Sequence, residues 1–595
     1  PLAAAITAAR TPSPALEARA KPYIDREKGV ETAEDALAGA GDITAEDLSD
    51  DATLRGRLRA LLHRTGVLKT VGTDEDDTVY AMYHDFSEPV RRLQSHRVLA
   101  INRGEKEGKL KVTLEADENE EIAAVTRAAL HPKNPFGDWL RAVCADSWNR
   151  LLFPSLEREL RNELTDAANE QAIRTFALNL RPLLMQPPVR GRVTLGFDPA
   201  YRTGCKLAVV DATGKVLETA VIYPTSPHKK AEEAKKVLRR LCDKHHITCI
   251  AIGNGTASKE SEIFVADFIK EYGGGIAYMV VSEAGASVYS ASKLGAEEFP
   301  DFDVSLRSAV SIARRLQDPL AELVKIDPKA IGVGQYQHDM PQARLSEALD
   351  GVVEDCVNAV GVDLNTASPA LLSRVAGVTN TVSKNIAAYR EQNGRFESRK
   401  QLLKVKGLGP KAFEQCAGFL RVPDGASLLD RTGVHPEAYE AAQTLLKLCG
   451  YTAEDAAQGK ISELPARVGQ LGAENAAKRC GVGVPTLNDI VSELIKPGRD
   501  PRDELPPPML RSDVLDLNDL KPGMKLKGTV RNVADFGAFV DIGVHQDGLV
   551  HISQLCNRYV KHPSEVVTVG DIVEVAVLSV DPKSHRIALT MKNVK

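Results

Sequence analysis

At 595 residues the chain is long enough for about three to five domains, and its 43% hydrophobic content is ordinary for a soluble globular protein. A formal net charge of −5 excludes a polycation, so any site for a polyanion has to come from local charge. No run of about 18 apolar residues occurs and no basic segment with an apolar core opens the chain, so neither a membrane span nor a secretory leader is expected. The first residue is Pro1, which is compatible with a trimmed N-terminus. The nine Cys, an odd number without a paired framework, fit a reducing cytoplasm.

The first 188 residues are expected to be helical, with apolar positions at helical spacing in Leu54–Leu62 and Leu151–Leu164. The acidic, Ala-rich stretch Glu31–Asp51 reads as a solvated helix face, and Pro187-Pro188 breaks the pattern. Residues 189–330 change texture. Val193–Asp198, Lys206–Asp211 and Lys215–Tyr223 predict a three-stranded meander, followed by a helix near Lys229–His245, a strand Ile247–Ile252, a helix near Glu260–Tyr272 and a strand Ile276–Val281. That alternation predicts an α/β domain with a mixed sheet. Ser258, in Asn254-Gly255-Thr256-Ala257-Ser258, is a candidate helix N-cap in a loop with phosphate-binding potential. The cluster Cys242, His245, His246 and Cys249 has soft ligand types, but it spans a helix end and a buried strand and lacks the usual separation of ligand pairs, so no metal is expected there.

A connecting helix is assigned to 331–362 and two helix-hairpin-helix units to 363–422. In the stronger unit, Val405-Lys406-Gly407-Leu408-Gly409-Pro410-Lys411-Ala412, two glycines let the backbone approach a phosphate and Lys406 and Lys411 flank the turn. The upstream copy, Val375-Ala376-Gly377-Val378-Thr379, has Thr379 in place of the second glycine. Between Asp363 and Arg421 ten Lys and Arg oppose four Asp and Glu, a local balance of +6 (10 − 4) inside an acidic chain. A hairpin that only packs helices, or contacts another protein, is the structural alternative. A second helical domain over 423–500 and a Pro-rich linker over 501–518 follow.

Residues 519–595 are strand-rich with regular turns and predict a small barrel. Its motifs are Lys521–Val530, Asp535-Phe536-Gly537-Ala538-Phe539-Val540 and Gly548-Leu549-Val550-His551-Ile552-Ser553, and then Asp581 to Arg586-Ile587-Ala588-Leu589. They resemble the OB-fold RNA-binding repeat of the largest protein of the small ribosomal subunit. That resemblance implies an RNA face of Phe536, Phe539, His551, Asp581 and Arg586. Exposed rings stack bases whatever the sequence, and Lys525, Lys527 and Arg531 are candidate phosphate contacts.

The sheet domain resembles the RNase H-like fold of the YqgF and RuvC type, whose nucleases need three or four carboxylates around two Mg²⁺ about 3.5–4 Å apart. Asp198 is in the first position, Glu283 fits the second, and Asp318 is the candidate third, with Asp301 and Asp303 as alternatives. The set reads as incomplete, so no catalysis, cofactor or metal is expected. A Mg-dependent, structure-specific nuclease is the rival reading.

Taken with Gly332–Asp339, Gly253–Ser258, Ser282–Ser290 and Val434-His435-Pro436-Glu437, the domain order resembles the bacterial Tex family of transcription accessory proteins over nearly the whole chain. The resemblance implies a multidomain α+β, cytoplasmic, sequence-tolerant binder of RNA, with DNA as a second ligand. It also implies RNA polymerase or the ribosome as candidate neighbours and no membrane. Members carry a further N-terminal helical segment, which is expected to be missing here.

Overall fold

A computed structural model of the chain describes residues 1–11, 15–74, 79–273, 275–332, 334, 336–511, 520–544, 547–581, 586–592 and 594. Val333 and Gln335 of the Gly332–Asp339 motif, and 512–518 of the Pro-rich segment, lie outside the described residues. The chain divides into two compact bodies, Pro1–Thr175 with Gly334–Gln342, and Phe176–Val333 with Ala343–Lys595. No helix among the described residues is long and apolar enough to cross a membrane.

The first body is mostly helical. Its core gathers Leu54, Leu58 and Leu62 from one helix with Val125, Cys144, Trp148, Leu152, Leu156 and Leu160. Within this region, read from sequence as wholly helical, lies an antiparallel sheet in the order β2-β1-β3, formed by β1 (Val67–Gly72), β2 (Asp85–Pro89) and β3 (Leu110–Glu115). Alternation of Leu110, Val112 and Leu114 with Lys111, Thr113 and Glu115 marks β3 as a strand with one wet face. Strands of five or six residues between long helices are easily swallowed by a helical reading. The Gly332–Asp339 motif reaches this body at Tyr336, whose ring lies 4.6 Å from the Arg103 guanidinium, and at Asp339, which accepts from Arg103 Nε at 2.6 Å.

The second body opens with a five-stranded sheet in the order β6-β5-β4-β7-β8. The strands are β4 (Thr194–Asp198), β5 (Cys205–Val210), β6 (Val216–Ile222), β7 (Cys249–Gly253) and β8 (Ala277–Val281). The first three form an antiparallel meander, and β4, β7 and β8 run parallel. Alternation sorts the side chains between two helical layers. Leu207 and Val209 pack with Leu238, Leu241, Val265 and Phe268 of the helices Ala231–His245 and Ser258–Tyr272. Ala208 and Val210 meet Ala309, Val310 and Ala313 of Val304–Gln317. That helix lies so close that a Cβ on Gly196 would collide with the Ala309 carbonyl oxygen.

The hairpin helices and the following helical segment share one anchor. Arg399 is 1% exposed and donates to the carbonyls of Leu420 (2.6 Å), Leu429 (3.2 Å), Val434 (2.8 Å) and Thr432, and to the Tyr439 hydroxyl. The C-terminal strands β11 (Lys525–Ala534), β12 (Gly537–Asp541), β13 (Gly548–His551), β14 (Ile572–Asp581) and β15 (Arg586–Thr590) close a barrel in the order β11-β12-β13-β15-β14. Between the sheet domain and the barrel, Arg511 exchanges backbone hydrogen bonds with Tyr278 of β8, both at 2.8 Å, and its side chain meets Asp541 at 3.3 Å. Here β9 (Val362–Asp363) and β10 (Leu420–Arg421) form a two-stranded parallel ladder that ties the ends of the hairpin region together.

Candidate nucleic-acid interface

The structure brings together two of the three carboxylates expected on the sheet. Asp198 ends β4 on the face of Val304–Gln317, where its carboxylate is bonded to Ser308. Burial, then the nearby Glu283 charge, push its pKa up to about 6, against a pull down from Lys206. Burial also raises Glu283, offset by the Gly255 N–H and Arg315. A Cβ at Gly253 would lie 2.7 Å from Glu283 Oε2, so the glycine loop is shaped around this carboxylate. Arg315, buried at 3% exposure, holds the flanking carbonyls of Ser282 and Ala284, both at 2.8 Å.

Asp318 does not join them. It caps the helix that begins at Pro319 by accepting from the Ala321 N–H at 3.2 Å, and it pairs with Arg502 at 2.7 Å. Ten residues of helical rise separate it from Ser308, about 15 Å, which puts it at the opposite end of β4. Asp303 caps Val304–Gln317 through the Leu306 N–H at 2.7 Å, and Asp301 is solvent-exposed. Among the described residues no group of three His, Cys, Asp or Glu is arranged to hold a metal ion. The donor set beside Asp198 therefore does not fit the two-ion centre of RNase H-like nucleases. The N-cap of Ser258–Tyr272 is Ala257, at φ 62°, and not Ser258, which is the first helical residue. Cys242 and Cys249 are both buried, and His245 bonds Glu218 at 2.8 Å.

The two hairpin turns repeat one burial pattern. Val405 and Leu408 are buried while Lys406, Gly407 and Gly409 are exposed, and Val375 and Val378 are buried while Gly377 and Thr379 are exposed. Gly407 and Gly377 take φ values of 87° and 78°, which glycine adopts without strain. Gly409 is the N-cap residue of Pro410–Cys416. In the upstream copy Thr379 caps Asn380–Asn393 with its hydroxyl, accepting from Val382 N–H at 3.3 Å. Asn385 reaches across to donate to the Lys406 carbonyl at 2.7 Å.

The basic island is smaller than its composition. Arg399 is internal, Arg390 donates to Leu364 and Ala367 carbonyls, Arg374 pairs with Asp350, Arg395 with Asp424, and Arg421 donates to the Arg499 carbonyl. The lysines Lys384, Lys400, Lys404, Lys406 and Lys411 all face solvent.

On the barrel, Ala538, Val540 and Val550 point inward, so Phe539 and His551 share the outer face of β12 and β13. Gly537 stands opposite His551, and a Cβ there would strike the Val550 carbonyl oxygen. Phe536, just before it, is 51% exposed, and its ring meets the half-buried Phe539 edge-on, centroids 6.0 Å apart at 89°. The Phe536 carbonyl accepts from the Ile552 N–H at 2.8 Å, and His551 Nδ1 accepts from the Ser553 N–H at 3.3 Å, so both side chains leave fixed backbone. Asp581 and Arg586 pair in register at the ends of β14 and β15.

The expected phosphate contacts scatter. Lys525 and Lys527 lie at the far end of β11 from Phe536, with Lys527 4.0 Å from Glu574. Arg531 sits in a bulge of β11 and pairs with Asp541 at 2.7 Å. Arg531 and Arg511 together hold Asp541 below the usual carboxylate range despite its burial. Arg531 is thus committed to the barrel wall. Sequence reasoning missed the loop 556–562, which His562 fastens beside the aromatic pair through Asp535, at 2.9 Å. Its interleaving of Arg558, Tyr559, Lys561 and His562 was the available signal.

An RNase H-like sheet, paired helix-hairpin-helix turns and an OB-type barrel with an aromatic outer face define a multidomain nucleic-acid-binding protein. The comparisons agree domain by domain. The Tex central region-like family matches residues 11–176, the Tex protein YqgF-like domain 192–317 and the helix-hairpin-helix motif 357–421. The HHH domain matches 427–502 and the S1 RNA binding domain 519–592. "Protein tex" of Bordetella pertussis is 49% identical over 610 residues, covering 100% of this chain and 76% of that protein. "Transcriptional accessory protein Tex" of Neisseria gonorrhoeae is 47% identical over 97% of this chain and 76% of its own length. "Uncharacterized protein YdcI" of Bacillus subtilis is 51% identical over 97% and 80% respectively. The chain belongs to the Tex family.

Proposed function

We propose that this protein is a non-catalytic transcription accessory factor of the cytoplasm that binds single-stranded RNA, and DNA, largely without regard to sequence. The observation that carries this reading is the half-exposed Phe536 ring set edge-on to Phe539, beside the exposed His551 on one barrel face. Such rings stack any base, at about 1–3 kcal/mol each. Arg586, which stands opposite Asp581 in the strand register, and the lysines around Gly407 supply phosphate contacts. The protein acts beside the transcription machinery, with RNA polymerase as the candidate neighbour, in keeping with the transcriptional accessory role that the name of the Neisseria relative gives that protein.

Filter binding with mixed-sequence oligonucleotides at increasing salt tests this. Affinity should fall steeply with salt and vary little with sequence, whereas absent or salt-insensitive binding refutes it. The sheet acts without hydrolysis, because among the described residues Asp198 and Glu283 converge while Asp318 is tied to Arg502. Metal-dependent cleavage of labelled strands that disappears in Asp198→Asn would overturn that point.

A further inference from the structure

We propose that Tyr559 is a further stacking platform, carrying a single strand off the barrel face and along the 556–562 loop between Arg558 and Lys561. The inference rests on the barrel being the nucleic-acid site. Tyr559 is 88% exposed, more than any other large apolar side chain among the described residues, Phe536 included. A ring left almost wholly in water is not committed to the core, and its flat apolar face is open to a base.

The loop around it is anchored at several points. Leu555, at 2% exposure, is part of the barrel core, while Val560 and Pro563 are buried on either side of the exposed Lys561. Alternation about Val560 drives Tyr559 and Lys561 outward. His562 is fixed on both ring nitrogens: Nδ1 accepts from the Ser564 N–H at 3.2 Å, which leaves the proton on Nε2 to be donated to Asp535 at 2.9 Å. Asp535 is the residue before Phe536, and three residues of chain from His562 to Tyr559 span at most about 10 Å. A stacking ring flanked by two cations, held on anchored backbone next to an existing aromatic pair, is the arrangement that single-strand channels use.

Fluorescence anisotropy with the full chain tests the proposal, using oligouridine probes of about 4 and about 12 nucleotides, the range one such barrel covers. Tyr559→Ala should weaken binding of the long probe roughly 5- to 100-fold and leave the short probe within about twofold. Tyr559→Phe should retain affinity and Tyr559→Leu should lose it, because a flat ring is required. Phe536→Ala should weaken both probes. If Phe536→Ala weakens both and Tyr559→Ala changes neither, Tyr559 is no platform and the barrel reading stands. If Phe536→Ala also changes neither, the barrel reading itself fails and this inference fails with it.

Discussion

Replacing Asp198 with Asn separates a strained pair of carboxylates from a metal-binding centre. In the folded chain burial and Glu283 hold the Asp198 pKa at about 6, against 3.8 for the free side chain. The folded state therefore binds this proton more tightly than the unfolded state does. The resulting stability is fully present below pH 3.8 and is lost as the pH rises through 6. The whole difference is (6 − 3.8) × 1.36, about 3 kcal/mol, an upper limit because the strand end is partly wet. Relative to the parent, Asp198→Asn should gain about 0.6 kcal/mol at pH 4, about 1.6 kcal/mol at pH 5 and about 3 kcal/mol above pH 7. Hydrogen exchange of peptides from β4 and β5 reads this directly, since comparing variant and parent at each pH cancels the intrinsic exchange rate. Millimolar Mg²⁺ should leave the parent's protection unchanged. A variant less stable than the parent at pH 8, a gain independent of pH, or strong protection of the parent by Mg²⁺ would refute the reasoning.

Arg399→Met should destabilise the hairpin and following helical segments by about 3–5 kcal/mol, because five acceptors lose their buried donor; urea unfolding followed by limited proteolysis would detect it. Gly537→Ala should open β12 from β13 by pushing on the Val550 carbonyl, read as loss of amide protection across that pair together with weaker oligonucleotide binding. Glu121 is buried, both carboxylate oxygens lack a partner among the described residues, and burial pushes its pKa up to about 7. Glu121→Gln should therefore stabilise the first body at pH 8, by up to about 3 kcal/mol, and hardly at all at pH 4, in calorimetric scans of the two proteins.

Periodicity and glycine chemistry carried much of the architecture in the sequence. The β4 to β6 meander, the two turns at Gly377 and Gly407, and the closed barrel after residue 519 each have local signals that survive folding. What local signals miss is the partner of each charge. Asp318 looks like a ligand until Arg502, 184 residues later, claims it, and Arg531 looks like a phosphate contact until a bulge turns it onto Asp541. Five arginines in the hairpin region count as positive charge in the sequence, yet the fold uses them internally or in ion pairs. The Asp535–His562 contact joins residues 27 apart, so the loop bearing Tyr559 could not be placed beside Phe536 from spacing alone. The sheet of β1 to β3 was hidden because its strands are short and lie between helices.

The most direct test is the affinity of the full chain for a mixed-sequence single-stranded RNA, measured for the parent and for the double substitution Phe536→Ala with Phe539→Ala. Losing two stacking rings should weaken binding by at least about thirtyfold, on the order of 2 kcal/mol or more, with the salt dependence retained because the phosphate contacts remain. Unchanged affinity in the double variant, with the barrel still folded, would contradict the account.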